Sequence, residues 1–183
     1  MIKPVYVYGS PILRKVAANI TPDYPNLKGL IEDMFETMRH SDGIGLAAPQ
    51  VGISIRLFII DASPLAEDHP EMKDFRRVFI NAQIVERSGE EILYNEGCLS
   101  IPNIREDVQR PELVLMKYVD ENFEPKEERF EGLAARIIQH EYDHLEGILF
   151  TDKISPIKRQ LLKSKLTAIS KGKFSASYKV KVV

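Results

Sequence analysis

The alternation of apolar and polar positions divides the chain into three helical stretches and a series of short strands. Leu27, Leu30, Ile31, Met34, Phe35 and Met38 recur at helical spacing, which predicts a helix from Asn26 to Arg39, opened behind Pro25 and stopped at Ser41-Asp42-Gly43. A loop from Gly43 to Gly52 follows, and the largely apolar run Ile55–Asp61 reads as a buried strand. Residues 62–75 are polar and contain prolines, the signature of a surface loop. Strand patterns are expected at Arg77–Glu86, Glu90–Tyr94, Arg105–Gln109, Leu113–Val119 and Lys126–Phe130. Ser88-Gly89, Pro111 and Asp120-Glu121-Asn122 separate them, as turns of an antiparallel sheet would.

Gly132–Leu145 is the second predicted helix, ended by Gly147. Ser155-Pro156 supplies an N-cap and a first-turn proline for a third. Its apolar positions are Ile157, Leu161, Leu162, Leu166 and Ile169, and it closes near Gly172. The tail alternates through Phe174, Ala176, Tyr178, Val180 and Val182, as a late edge strand or a fraying terminus does. Antiparallel strands with one central helix and a C-terminal amphipathic helix make an α+β fold.

Composition narrows the setting. At 183 residues one domain, 1–183, is expected, with the last helix and tail (about 155–183) as part of it. No run of 18 apolar residues is present, so no membrane association is expected. Met1–Tyr6 lacks the apolar core of a secretion signal. A single cysteine excludes an intrachain disulfide and suits a reducing, cytoplasmic location. The net charge of −2 conceals an asymmetry: Lys153–Val183 holds nine of the 25 basic residues and none of the 27 acidic ones. Such a segment is either a solvated face or a patch that meets a polyanion such as RNA, and both readings stay open at this level.

The candidate chemistry sits on the second helix. His140-Glu141-Tyr142-Asp143-His144 places two imidazoles four residues apart, on one helix face, where both can reach one ion. Glu141 lies about 100° around the axis, beside such an ion, where it can take a proton from water. Two ligands do not complete a catalytic site. The sixth position after His144, where one class of metalloprotease carries a third histidine, is Phe150. After Glu146 there is no glutamate, and Asp152 is the only aspartate. The third ligand therefore comes from upstream, where His40, His69, many carboxylates and Cys98 are available. Free cysteine is commonly a small buried hydrophobe. Cys98 follows Gly97 just past a predicted strand, and a Cys-His-His set would leave one tetrahedral position open, so it is the preferred candidate. A protease using the same motif and a non-catalytic metal or RNA-binding module remain the rival readings.

Three segments together resemble the peptide deformylase family: Gly43-Ile44-Gly45-Leu46-Ala47-Ala48-Pro49-Gln50, Glu96-Gly97-Cys98-Leu99-Ser100, and Gln139-His140-Glu141-Tyr142-Asp143-His144. The similarity runs from the N-terminus to about Ile154. It implies an α+β fold with antiparallel sheets around a central metal-binding helix. It also implies hydrolysis of the N-formyl group from the starting methionine of new peptides, with release of formate. By resemblance the metal ligands are Cys98, His140 and His144, and Glu141 is the general base and later the acid. Gln50 through its side-chain amide and Leu99 through its backbone N–H would bond the reacting carbonyl oxygen. The family's usual ion is Fe²⁺, with Zn²⁺, Ni²⁺ or Co²⁺ able to substitute.

The same resemblance places Gly43, Ile44, Gly45, Gly97, Leu133 and Ile137 around the substrate. Arg105 and Arg110 match positions near the peptide cleft, though either also reads as an ordinary surface arginine. Arg136 stands where the family often has an apolar residue. It would rim the pocket and meet peptide carbonyls, or point to solvent. The expected partners are N-formylmethionyl nascent peptides, and the basic C-terminal segment would contact the ribosome near its exit site.

Overall fold

In the computed structural model, which describes residues 1–183, nearly all strand residues lie in one five-stranded antiparallel sheet. Its strands are β2 (Gly45–Ala47), β3 (Leu57–Asp61), β4 (Arg76–Cys98), β5 (Ile101–Val119) and β6 (Pro125–Glu131), arranged in that order. A two-stranded parallel ribbon joins β1 (Val5–Tyr6) to β7 (Val180–Lys181) near the chain's ends. Three helices, α1 (Leu27–His40), α2 (Gly132–Leu145) and α3 (Pro156–Ser170), complete the fold.

The buried strand β3 explains the layering. Phe58 and Ile60 pack into a cluster with Ala134, Ala135, Ile138 and Leu145 of α2. Leu57 and Ile59, on the opposite face, join Leu30, Ile31, Met34 and Met38 of α1. Successive side chains of a strand point to opposite faces, so a strand covered on both sides is apolar at every position. Burying each such side chain is worth about 1.5–3 kcal/mol, so β3 anchors both helices. A third cluster unites Ile101, Ile104 and Val108 of β5 with Leu166 and Ile169 of α3 and with Phe150.

Several boundaries differ from the sequence-based expectation. Arg77–Glu86 and Glu90–Tyr94 are one strand, β4, because Ser88-Gly89 forms a register shift rather than a turn. Gly89 adopts φ +82°, which the shift requires and a side chain would oppose. Arg105–Gln109 and Leu113–Val119 likewise fuse into β5, with Pro111 opposite Glu91 at the same irregularity. The Gly43–Gly52 loop contains β2 and a 3₁₀ turn at Ala48–Val51. Residues 62–75 keep their loop character, interrupted by short 3₁₀ turns at Ser63–Leu65 and Pro70–Met72.

The expected α3 stripe divides in two. Leu162, Leu166 and Ile169 pack on the third cluster, whereas Ile157 and Leu161 are each 75% exposed. Leu162 lies about 100° around the axis from Leu161, so one face cannot hold both rows. Ser155 caps this helix as expected, its Oγ accepting the Lys158 N–H at 3.3 Å. The tail forms the late edge strand only over Val180–Lys181, in parallel with Val5–Tyr6.

Candidate active site

Antiparallel pairing brings the end of β4 against the face of α2. Residues 96 and 98 share a face of β4 by strand periodicity, while 136, 140 and 144 share a face of α2. The result is a group of three donor atoms, from Cys98, His140 and His144, all within 4.8 Å of one another. Cys98 Sγ lies 3.4 Å from His144 Nε2. His140 Nδ1 lies 2.8 Å from Glu96 Oε1. A carboxylate only accepts, so this contact places the proton on Nδ1 and leaves Nε2 free to face the group.

Glu96 is the hub of a buried ionic network. Arg110 donates to both of its oxygens, through Nε at 2.7 Å and Nη2 at 2.9 Å. Arg110 also donates to Asp143 Oδ2 at 2.8 Å, and Arg136 donates to Glu96 Oε2 at 2.8 Å. Burial alone would raise the Glu96 carboxyl, but the bonds from His140 and Arg110 outweigh it and hold the group far below the ordinary carboxylate range. Sequence reasoning gave Glu96 no role. Its signal was the spacing Glu96-x-Cys98, which puts carboxylate and thiol on one strand face.

Glu141 has the opposite surroundings. It is buried, and its Oε2 has no hydrogen-bond partner. Burial pushes its carboxyl up to about 7; the neighbouring His140 pulls the other way and Glu96 adds to the rise. The β2 strand passes so close that a Cβ on Gly45 would meet Glu141 Oε1 at 2.5 Å. Only glycine allows that approach.

Gln50 is fixed at both ends of its amide. Its Oε1 accepts the Ala47 N–H at 2.9 Å. Its Nε2 donates to Ser100 Oγ at 3.1 Å and lies 3.5 Å from Cys98 Sγ. Ser100, fully buried, is a second residue that sequence reasoning missed.

A cleft of about 530 Å³ opens onto this constellation. Gly43, Ile44, Gly45 and Gln50 line one side, and Gly97, Cys98, Leu99 and Arg105 another. Leu133, Arg136, Ile137, His140 and Glu141 contribute from α2, while His144 lies behind, 1% exposed. Arg105 is held by Asn95, donating to Oδ1 at 2.8 Å and to the main-chain carbonyl at 3.1 Å. Two expectations change. Arg110 is buried in the ionic network and does not line the cleft. Arg136 does not point to solvent: it lines the cleft from α2 while its guanidinium turns inward to Glu96 and to the carbonyls of Val108 and Ile92. Its guanidinium lies 5.5 Å from the centre of the Tyr94 ring and pairs with the buried Glu96 carboxylate.

The donor set fits a transition-metal ion. A thiol with two imidazoles is the soft, borderline combination that such ions prefer, and three protein ligands leave a position for substrate chemistry. The imidazoles respond in opposite directions. Burial opposes charge on both, yet contacts with Cys98 and Glu96 raise His140 well above its ordinary value. Burial and the charge on His140 lower His144.

Comparison with known proteins bears on the same residues. The family model described as polypeptide deformylase matches residues 2–160. The peptide deformylase of Flavobacterium johnsoniae is 54% identical, covering 99% of this chain and 96% of that one. That of Cytophaga hutchinsonii is 49% identical, over 99% and 97%. Among solved structures, the Thermotoga maritima peptide deformylase superimposes with a TM-score of 0.77 at 44% identity, covering 85% of this chain and 99% of that chain. A Plasmodium falciparum peptide deformylase in complex with an inhibitor gives 0.80 at 37% identity, over 91% and 99%. With nearly the whole chain matched at such identity, and the three motif segments converging on one cleft, the chain belongs to the polypeptide deformylase family.

Proposed function

We propose that this chain hydrolyses the N-formyl group of N-terminal formylmethionine on newly made peptides, releasing formate and a free amine. The observation that carries the reading is one juxtaposition: the Cys98, His140 and His144 donor atoms gathered beside the unpartnered, buried carboxylate of Glu141.

In this reading Cys98, His140 and His144 hold a divalent ion, Fe²⁺ in the cell, with Zn²⁺, Ni²⁺ or Co²⁺ able to replace it. The ion, when bound, polarises a carbonyl and makes a water more acidic. Glu141 takes the proton of the attacking water as the C–O bond forms on the formyl carbon. It returns that proton to the leaving nitrogen as the C–N bond breaks. Its buried position and unpartnered oxygen suit both roles. Gln50 Nε2 and the Leu99 N–H donate to the oxygen on which charge develops, and both are held in place before substrate arrives. Gly43, Gly45 and Gly97 let main chain approach the peptide closely. Ile44, Leu133 and Ile137 form the apolar seat for the methionine side chain, and Arg105 stands at the rim. Arg136 braces that seat from within through its bond to Glu96.

Residues 1–183 act as one catalytic domain in this account, since α3 shares a core with β5. No helix is long and apolar enough to cross a membrane, and the proposed setting is the cytoplasm, where nascent chains emerge. Ribosome contact is assigned to α3. Lys158 there is engaged by Glu106 at 3.2 Å and Arg159 by the carbonyls of Thr151 and Asp152, which leaves Lys163 and Lys165, the latter one turn beyond exposed Leu161.

Formate release tests the proposal. Metal-loaded protein is expected to release formate from a formyl-Met peptide and to leave an unformylated peptide of the same sequence intact. Internal cleavage of the unformylated peptide would instead establish the protease reading.

A further inference from the structure

The chain beyond α3 is unused by the reaction as described, and the family model stops at residue 160. The structure gives this tail definite contacts. Tyr178 donates its hydroxyl to the Leu99 carbonyl at 2.7 Å. Asn103 Nδ2 donates to the Ser175 carbonyl at 2.9 Å. The N–H groups of Val5 and Val7 donate to the carbonyls of Lys179 and Lys181 at 2.9 and 3.2 Å. Phe174 and Val180 pack on the third apolar cluster, alongside Cys98. Seated in this way, Ala176, Ser177 and Tyr178 form a wall of the same cleft that holds His140 and Glu141.

We infer that Ala176–Tyr178 read the peptide beyond its formylmethionine, with Tyr178 a positioning residue for the Leu99 turn. The inference rests on the deformylase reading. The reacting end of a substrate must lie against the buried groups at the inner end of the cleft. Its following residues must leave through the part that stays open to solvent. Ala176 and Ser177 are exposed, so they border that exit, while Tyr178 is half-buried behind them. Both side chains at the exit are short and uncharged, so the wall selects by proximity and leaves peptide charge unread.

Tyr178 links this wall to the chemistry. The two carbonyls of the turn after Cys98 are taken by segments from opposite ends of the chain. Leu99 C=O accepts from Tyr178, and Ser100 C=O accepts from the Tyr8 N–H at 2.8 Å. With both engaged the turn is held in place, and with it the segment whose Leu99 N–H serves the reacting oxygen in the proposed mechanism. Removing the hydroxyl releases one side of the turn.

The test introduces charge where the wall has none. Ala176→Lys and Ala176→Glu are made in the full chain, loaded with metal, and assayed on formyl-Met-Ala-Lys and formyl-Met-Ala-Glu. Because the site is exposed, both variants should fold, which thermal unfolding checks. The Lys variant is expected to prefer the Glu peptide and the Glu variant the Lys peptide. Each preference should be about threefold to fivefold at low salt, carried in KM and weakened by added salt, as solvent-exposed charges a few ångströms apart dictate. Tyr178→Phe is expected to lower kcat/KM about threefold to tenfold, more on the tripeptides than on formyl-Met-Ala, as loss of one hydrogen bond allows. Equal treatment of both peptides by both Ala176 variants would overturn the inference while wild-type formate release still upheld the deformylase reading. An unchanged Tyr178→Phe enzyme would remove Tyr178 from the account. A wild-type protein releasing no formate would overturn both readings.

Discussion

Glu96 and Glu141 are two carboxylates with equal exposure, 5% each, flanking the same imidazole, and they are treated in opposite ways. Glu96 accepts from Arg110, Arg136 and His140 and stays ionised. Glu141 has one oxygen with no partner and is driven toward holding a proton. Burial is the same, so partners decide the outcome. The satisfied carboxylate aims the His140 imidazole. The unsatisfied one retains the freedom to exchange a proton, and perturbed, unpartnered groups in clefts are where chemistry is expected.

The largest effect expected from this contrast falls on Glu141. Glu141→Ala should reduce formate release by about 10²–10⁴, the usual contribution of a positioned acid–base group, while metal analysis shows the ion retained. Its thermal midpoint should hardly move, because no bond to the lost oxygen exists. A variant that unfolds early would place Glu141 in the frame instead of the reaction.

Glu96→Ala should behave in the reverse manner. Two arginines and a histidine lose a shared buried partner, so stability is expected to fall by about 3–5 kcal/mol in urea unfolding. Metal affinity, read by competition with a chromogenic chelator, should weaken about 10–100-fold as His140 loses its orienting carboxylate. Unchanged affinity would show that His140 is aimed by packing alone.

Gly45→Ala sharpens the contrast by moving Glu141 without altering its chemistry. The new methyl group would press on Oε1, where a Cβ has only 2.5 Å. A displacement near 1 Å can cost about 10²-fold in rate, so kcat should fall roughly tenfold to a hundredfold with KM little changed.

Asp152 provides the smallest effect. It too is held below the ordinary carboxylate range: burial raises it, but the Arg14 bond and the Leu149 N–H outweigh that. The pair is more open than the Glu96 network, with Arg14 45% and Asp152 34% exposed. A depressed carboxyl stabilises the fold at pH values above its unfolded pKa. That contribution disappears as pH falls through the folded value. Asp152→Asn should therefore flatten the thermal midpoint's dependence on pH below about 4, and by less than about 1 kcal/mol given the exposure.

How much of this was legible beforehand follows from how local each feature is. The α2 limits were read as Gly132–Leu145 and are found there, because helical periodicity and the following Gly147 are local signals. The His-x₃-His face is equally local. Cys98 was reached by elimination and sits with both imidazoles. The fusion of four expected strands into β4 and β5 was not legible. Ser88-Gly89 and Pro111 carry turn chemistry, and only the long antiparallel pairing between them converts a turn into a register shift. The inward turn of Arg110 and Arg136 was not legible for a related reason. A lone arginine in a sequence reads as solvent-facing, and the carboxylate that buries it lies 14 or 40 residues away. The tail was ambiguous because its alternation suits a strand, whereas what holds it is the Tyr178 hydroxyl, the Asn103 amide, the packing of Phe174 and a short ribbon with the opposite end of the chain.

The Glu96–Arg110–Asp143 bonds also bear on how the cofactor would be exchanged. They tie β4, β5 and α2 into a lattice of contacts to which no ion contributes. A chelator acting on the loaded enzyme would then empty a cradle that stays standing. Exchanging one bound ion for another would then be an equilibration at a finished socket, with no refolding step between the two forms.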